Sequence, residues 1–173
     1  MVATVRTARV EDGEAMGRIH VESWRAAYVG VVPQTHLDAL DAQERGANWR
    51  AAIEANPDPD HGRRLVVEVD GEVVGLALVV ADRDGEEGVG EIPLIYVHPT
   101  AWGTGAGFAL MVECEAEMQR RGFTAAVLWV LEANPRARAF YERQGWFADG
   151  GRKIEEIGGV ELAEIRYRRR FDD

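Results

Sequence analysis

The apolar residues of this chain change period several times, and each change predicts an element. An opening strand is expected over about Val2 to Arg9. Met16, Ile19, Trp24, Ala27 and Tyr28 then recur on one face of a helix, with Asp12 in front of them as a candidate N-cap. "YVGVVP" breaks that helix, and "LDALDAQERGANWRAAIEA" predicts a second helical segment, closed by the polar linker "NPDPDHG". "RLVVEVDGEVVGLALVVAD" is two apolar runs around Asp70-Gly71, the signature of a tight hairpin. An acidic loop, "DRDGEEGVG", leads into a strand over Glu91 to Val97 and a glycine-rich loop. A helix to about Arg121, a strand over Ala125 to Leu131, a helix over about Pro135 to Arg143 and a last hairpin around Gly158-Gly159 complete the order.

Helices come first, then antiparallel strands, with one strand-helix-strand crossover in the middle. A crossover makes its two strands parallel, so the expected fold class is α/β (α+β), with a mixed, mostly antiparallel sheet and helices on its faces. The chain has 173 residues and 46% hydrophobic content, enough for one sizeable core and short for two, so a single domain over 1–173 is expected.

Bulk properties narrow the function. No apolar run has the length of a membrane span and the N-terminus lacks a signal-peptide stretch, so a soluble, cytoplasmic protein with no membrane partner is expected. A formal charge of -10 argues against nucleic acid as a partner, since phosphate contacts need a basic face, and it weakly favours cationic small molecules. Cys114 is the only cysteine and the histidines 20, 36, 61 and 98 show no ligand spacing, so no metal is expected. A homodimer stays open.

The glycine loop carries the chemistry. Trp102, Gly103, Thr104, Gly105, Ala106, Gly107 and Phe108 lie between a strand and a helix, where glycine weakens both elements unless something must approach the backbone. Free N–H groups and the positive end of a helix dipole suit a phosphate or diphosphate. A dinucleotide loop would need glycine at position 108, which is Phe108, and the Gly-Lys-Ser/Thr of a nucleoside-triphosphate loop is absent; Lys153 is the only lysine.

"EIPLIYVHPTAWGTGAGFALM" together with "LWVLEANPRARAFYERQGW" resembles the GCN5-related N-acetyltransferase (GNAT) superfamily, which transfers an acyl group from acyl-coenzyme A to an amine. The first segment is similar to that family's pyrophosphate motif Q/R-x-x-G-x-G/A, and the second to its Asn-Pro segment with a tyrosine seven residues after the Asn. "HVESWRAAYVGVVP" resembles the first helices of a bacterial subset. The resemblance implies acetyl-CoA or coenzyme A as cofactor and two central parallel strands that splay apart. It places the pantetheine arm against the backbone of Ile95, Tyr96 and Val97, and the diphosphate on the amides from Gly103 to Phe108. Trp102 departs from the motif's Gln or Arg. An indole cannot make the charge-assisted contacts of Arg, so backbone amides are expected to carry the diphosphate almost alone.

Amine attack on a thioester needs a free amine, a stabilised oxyanion and a proton for the sulfur. By its motif position Tyr141 is the candidate general acid: a phenol with pKa about 10 can protonate a thiolate with pKa about 8.5. Asn134 is a natural N-cap before Pro135, and the resemblance adds a hydrogen bond to pantetheine. Glu91 is the candidate base, against the alternative of an exposed strand-end charge. Trp24, Tyr28 and Glu22 are candidates for the acceptor pocket, though such an aromatic stripe also suits a core. Cys114, on the apolar face of its helix, reads as buried, and His98 as a turn residue. The expected function is acetyl transfer to a primary amine in a ternary complex. The alternatives are a non-catalytic acyl-CoA sensor or scaffold, and an acyltransferase using a hydroxyl acceptor or a longer acyl donor.

Overall fold

A computed structural model describes residues 2–56 and 62–171. One seven-stranded sheet, in the order β1-β2-β3-β4-β5-β7-β6, organises them. β1 (Ala3–Thr7), β2 (Arg63–Val69), β3 (Glu72–Ala81) and β4 (Val89–Val97) form an antiparallel half. β5 (Ala125–Leu131), β7 (Val160–Arg170) and β6 (Phe147–Ile157) form a second antiparallel half. A parallel seam joins the halves, and it is short: only Val89, Gly90 and Glu91 pair with Ala125, Ala126 and Val127. Beyond those pairs the strands separate, which bears out the expected mixed sheet with splayed parallel strands.

The two hairpins follow from local chemistry. Asp70 and Gly71, and Gly158 and Gly159, all take positive φ, the backbone of the two-residue turns that match strand twist. A bulge interrupts the β3–β4 ladder. Leu78 pairs Leu94 and Val80 pairs Glu91, so Ile92 and Pro93 oppose Val79 alone. Pro93 has no N–H to donate, and a bulge is where a sheet tolerates that.

α1 (Gly13–Ala27) and α3 (Ala42–Ala55) pack together, with α2 (Gln34–Ala39) between them in sequence. On that side Met16 and Ile19 bury against Val66, Leu76, Leu94 and Tyr96. α4 (Ala106–Arg120) and α5 (Pro135–Arg143) supply Leu110, Met111, Cys114 and Tyr141 to a larger cluster with Leu65, Val67, Ala77, Val79, Ile92 and Leu128. Period-two alternation along β4 and β5 divides the two faces.

Two local readings change. The run from Leu37 to Ala55 is two helices, because the extended Asp41 caps α3 by accepting from the amides of Gln43 and Glu44. Asp12 precedes α1 but makes no side-chain cap there; its carboxylate turns back to the Arg9 amide at 2.7 Å and pairs with Arg6. Most of the linker "NPDPDHG" lies outside the described residues.

Candidate active site

The split between β4 and β5 puts the candidate residues on its two sides. Above β4, His98 and Pro99 start a single 3-10 turn, and the loop from Trp102 runs into α4. Gly103 and Gly105 sit at φ 79° and 91°, a region that favours glycine, and a Cβ on either would meet nothing within 4 Å. The loop is therefore open on its outer side. Gly107 has ordinary helical backbone; a Cβ there would touch Phe140 and Val97 at 3.5 and 3.7 Å, at the narrow point between β4 and α5. The first-turn amides of α4 have no intrahelical acceptor: Ala106 N–H donates weakly to Thr104 Oγ at 3.5 Å, while those of Gly107 and Phe108 are left free among the described residues. Thr104 Oγ donates to Ala101 O at 2.7 Å and braces the turn.

β4 offers a second surface. Ile95, Tyr96 and Val97 pair with Ala77, Leu76 and Gly75 on one edge only, so the edge facing the split is free to pair with an extended ligand. Val97 O is already used: it accepts from Ser23 Oγ at 3.1 Å and from the Trp102 indole at 2.8 Å. Open space at the glycines, free amides and an unpaired strand edge fit a diphosphate followed by an amide-bearing arm.

Tyr141 lies in the floor of the split, edge-on to Phe140, and burial pushes its pKa well up. The Tyr28 and Tyr96 hydroxyls push its pKa further up, so three phenols, from the C-cap of α1, β4 and α5, influence one another. Burial also raises Tyr28, and the nearby Asn134 side chain offsets part of that rise. Asn134 is the cap of α5: its Oδ1 accepts from the Ala137 amide at 3.1 Å, and its side chain faces the Tyr28 hydroxyl without closing an ordinary hydrogen bond. Trp24 stacks edge-on to Tyr28, and its buried indole N–H faces the Tyr96 hydroxyl without closing an ordinary hydrogen bond. Glu22 is held by His98, whose Nε2 lies 2.5 Å from its carboxylate, tying α1 to the end of β4.

Glu91 is not an exposed strand-end charge. Its side chain is 2% exposed, and Arg83 engages both oxygens, Nη2 at 2.6 Å and Nε at 3.0 Å, with the Arg83 amide adding a third bond at 3.0 Å. It opens onto a cleft of about 220 Å³ lined also by Asp84, Trp129 and Lys153. The cleft lies where β5 has left β4, on the face away from α4. Lys153 Nζ sits 4.6 Å over the Trp129 ring and 3.3 Å from both Glu155 and Glu164. Glu164 also interacts electrostatically with Tyr28, Tyr96 and Arg83.

Sequence reading missed Arg83, Trp129, Lys153 and Glu164. For Trp129, Lys153 and Glu164 the only signal was alternation along β5, β6 and β7, which puts Trp129, Glu164 and Arg166 on one face; Arg83, in the loop before β4, carried none. Cys114 is fully buried and its thiol is pushed up by burial, so it takes no part.

Comparison with known proteins agrees with this arrangement. Residues 12–146 match the model of the Acetyltransferase (GNAT) family. The chain is 30% identical over 169 residues to an uncharacterized N-acetyltransferase, YuaI, of Bacillus subtilis, covering 95% of this chain and 91% of that one. It is 34% identical over 135 residues to a mycothiol acetyltransferase of Paenarthrobacter aurescens, covering 72% of this chain but 42% of that longer protein. Its fold matches that of YncA, a putative acetyltransferase from Salmonella typhimurium solved with its cofactor acetyl-CoA, at a TM-score of 0.73 and 23% identity, over 100% of this chain and 96% of that one. With a split sheet, a glycine loop leading into α4 and this match over most of its length, the chain belongs to the GNAT acetyltransferase family, whose cofactor is acetyl-CoA.

Proposed function

We propose that the 173 residues work as one cytoplasmic domain that moves an acetyl group from acetyl-CoA to a primary amine, directly, in a ternary complex. The observation that carries the amine is Lys153. Its primary ammonium already rests in the cleft beside Glu91, between Glu164, Glu155 and the face of Trp129. Carboxylates plus an indole face are what an alkylammonium requires. The name of one relative, mycothiol acetyltransferase, supports a small-molecule acceptor.

Acetyl-CoA supplies an activated thioester when bound. Loop amides from Gly103 to Phe108 hold its diphosphate, and the free edge of β4 from Ile95 to Val97, with Asn134, holds the arm. Tyr141 keeps its hydroxyl proton through the neutral range because burial raises its pKa, and so donates to the departing sulfur. Glu91 takes the amine proton through water in the cleft, since Arg83 occupies both its oxygens. Trp24 and Tyr28 wall the acceptor side, and Glu22, fixed by His98, adds negative charge at its rim.

The test is a panel of primary amines and alcohols against acetyl-CoA, read by thiol release from about pH 6 to 9.5, the range in which free amine becomes available. Amine turnover is expected, with Glu91→Gln most impaired at low pH, where few amines are already neutral. Parallel curves for parent and variant remove Glu91. Coenzyme A binding without turnover of any amine overturns the enzyme reading in favour of a sensor.

A further inference from the structure

α5 breaks a local rule beside the glycine loop. Its first turn carries no acidic residue, and Arg136 sits there against the positive end of the helix dipole. Among the described residues no carboxylate pairs with Arg136 and none of its N–H groups is hydrogen-bonded. Burial alone shifts it, and downward, in a chain whose formal charge is -10. It lies over the Trp102 ring, with the guanidinium carbon 3.4 Å from the centroid. The indole is fixed in turn by its 2.8 Å bond to Val97 O. Two helix N-termini and an unpaired cation therefore meet at the mouth of the split. Each is a positive end, and an anion there relieves the repulsion of all three.

We propose that Arg136, stacked on Trp102, is a cofactor-binding residue that supplies the charge the loop itself lacks, gripping the diphosphate of coenzyme A. Trp102 then is not a lost contact. It is the platform that presents a planar guanidinium, borrowed from α5, to the phosphate oxygens, which that fork can engage in pairs. The loop amides share the diphosphate with this side chain instead of carrying it almost alone.

The experiment is calorimetric titration of coenzyme A into the parent, Arg136→Met, Arg136→Lys and Trp102→Ala, at low and high sodium chloride, with melting curves to confirm folding. Pantetheine, which has the arm without the diphosphate, is measured by displacement of coenzyme A. Arg136→Met is expected to bind coenzyme A about tenfold to a hundredfold more weakly, the scale of charge-assisted contacts, and to lose much of the salt dependence. Lysine keeps the charge without the fork and falls between; Trp102→Ala resembles Arg136→Met; pantetheine binds parent and variants alike. Unchanged coenzyme A affinity in Arg136→Met overturns the proposal, and so does equal loss of pantetheine, which makes the contact merely structural.

Discussion

Replacing Gly105 with alanine separates backbone strain from exclusion of a ligand. Gly105 holds φ 91°, and an L-residue in that left-handed region costs roughly 1–2 kcal/mol. The new Cβ would meet no atom of the protein within 4 Å, so no clash adds to that cost. For a domain of this size the loss corresponds to a melting temperature lower by about 2–8 °C. If the loop cradles a diphosphate, the methyl group also stands where an anion approaches the amides. Losing one charge-assisted bond of about 1.5–3 kcal/mol weakens coenzyme A roughly tenfold to a hundredfold. Gly150, in β6, is the matched control: its φ is 95° and its Cβ position is equally empty. Gly150→Ala is expected to cost the same stability and leave affinity alone. Scanning calorimetry and titration of coenzyme A into the three proteins read both quantities. If Gly105→Ala melts early but binds coenzyme A as the parent does, the loop is not the diphosphate cradle.

Tyr141→Phe removes only a hydroxyl, so coenzyme A affinity is expected to hold while turnover falls about a hundredfold or more; steady-state rates matching the parent's remove Tyr141 from the chemistry. Burial raises Asp149, but the Gly151 amide and the guanidinium groups of Arg168 and Arg166 outweigh it and hold the carboxyl below the usual aspartate range. A depressed pKa stabilises the fold above the unfolded value and is lost as pH falls through the folded one. Asp149→Asn is therefore expected to melt below the parent at pH 7 and to converge with it as pH falls below the ordinary aspartate range; a constant gap denies the ion pairs their role. Cys114, buried with its thiol pushed up, is expected to react with a chromogenic disulfide only on unfolding, and rapid native labelling would contradict that packing.

What could be read from the sequence was local. The turns at Asp70-Gly71 and Gly158-Gly159, the Asn134-Pro135 helix start and the strand-loop-helix around Gly103 to Gly107 each rest on backbone chemistry within a few residues. The break at Asp41 escaped because helical periodicity runs across it, and only the cap's hydrogen bonds reveal the new start. The cleft beside Glu91 was hidden for another reason. Lys153 meets Glu164 only through the β6–β7 register, which itself shifts between Ala148 and Arg152. Arg83 reaches Glu91 from a loop whose composition says nothing about where it folds back. Trp102 looked like a defect in a motif because its partner, Arg136, stands on another helix.

The seam between β4 and β5 has a mechanical consequence. Three residue pairs hold the halves of the sheet together, and beyond them the two edges diverge with their amides unpaired towards each other. In fracture terms the sheet carries a notch, and load pulling β1–β4 away from β5–β7 concentrates at Glu91 and Val127. An extended molecule bonded into that notch works as a suture and moves the load off the tip. Hydrogen exchange in β4 beyond Ile92 and in β5 beyond Val127 is then expected to slow on binding coenzyme A, and the force that tears the halves apart to rise, with no change in the rest of the ladder.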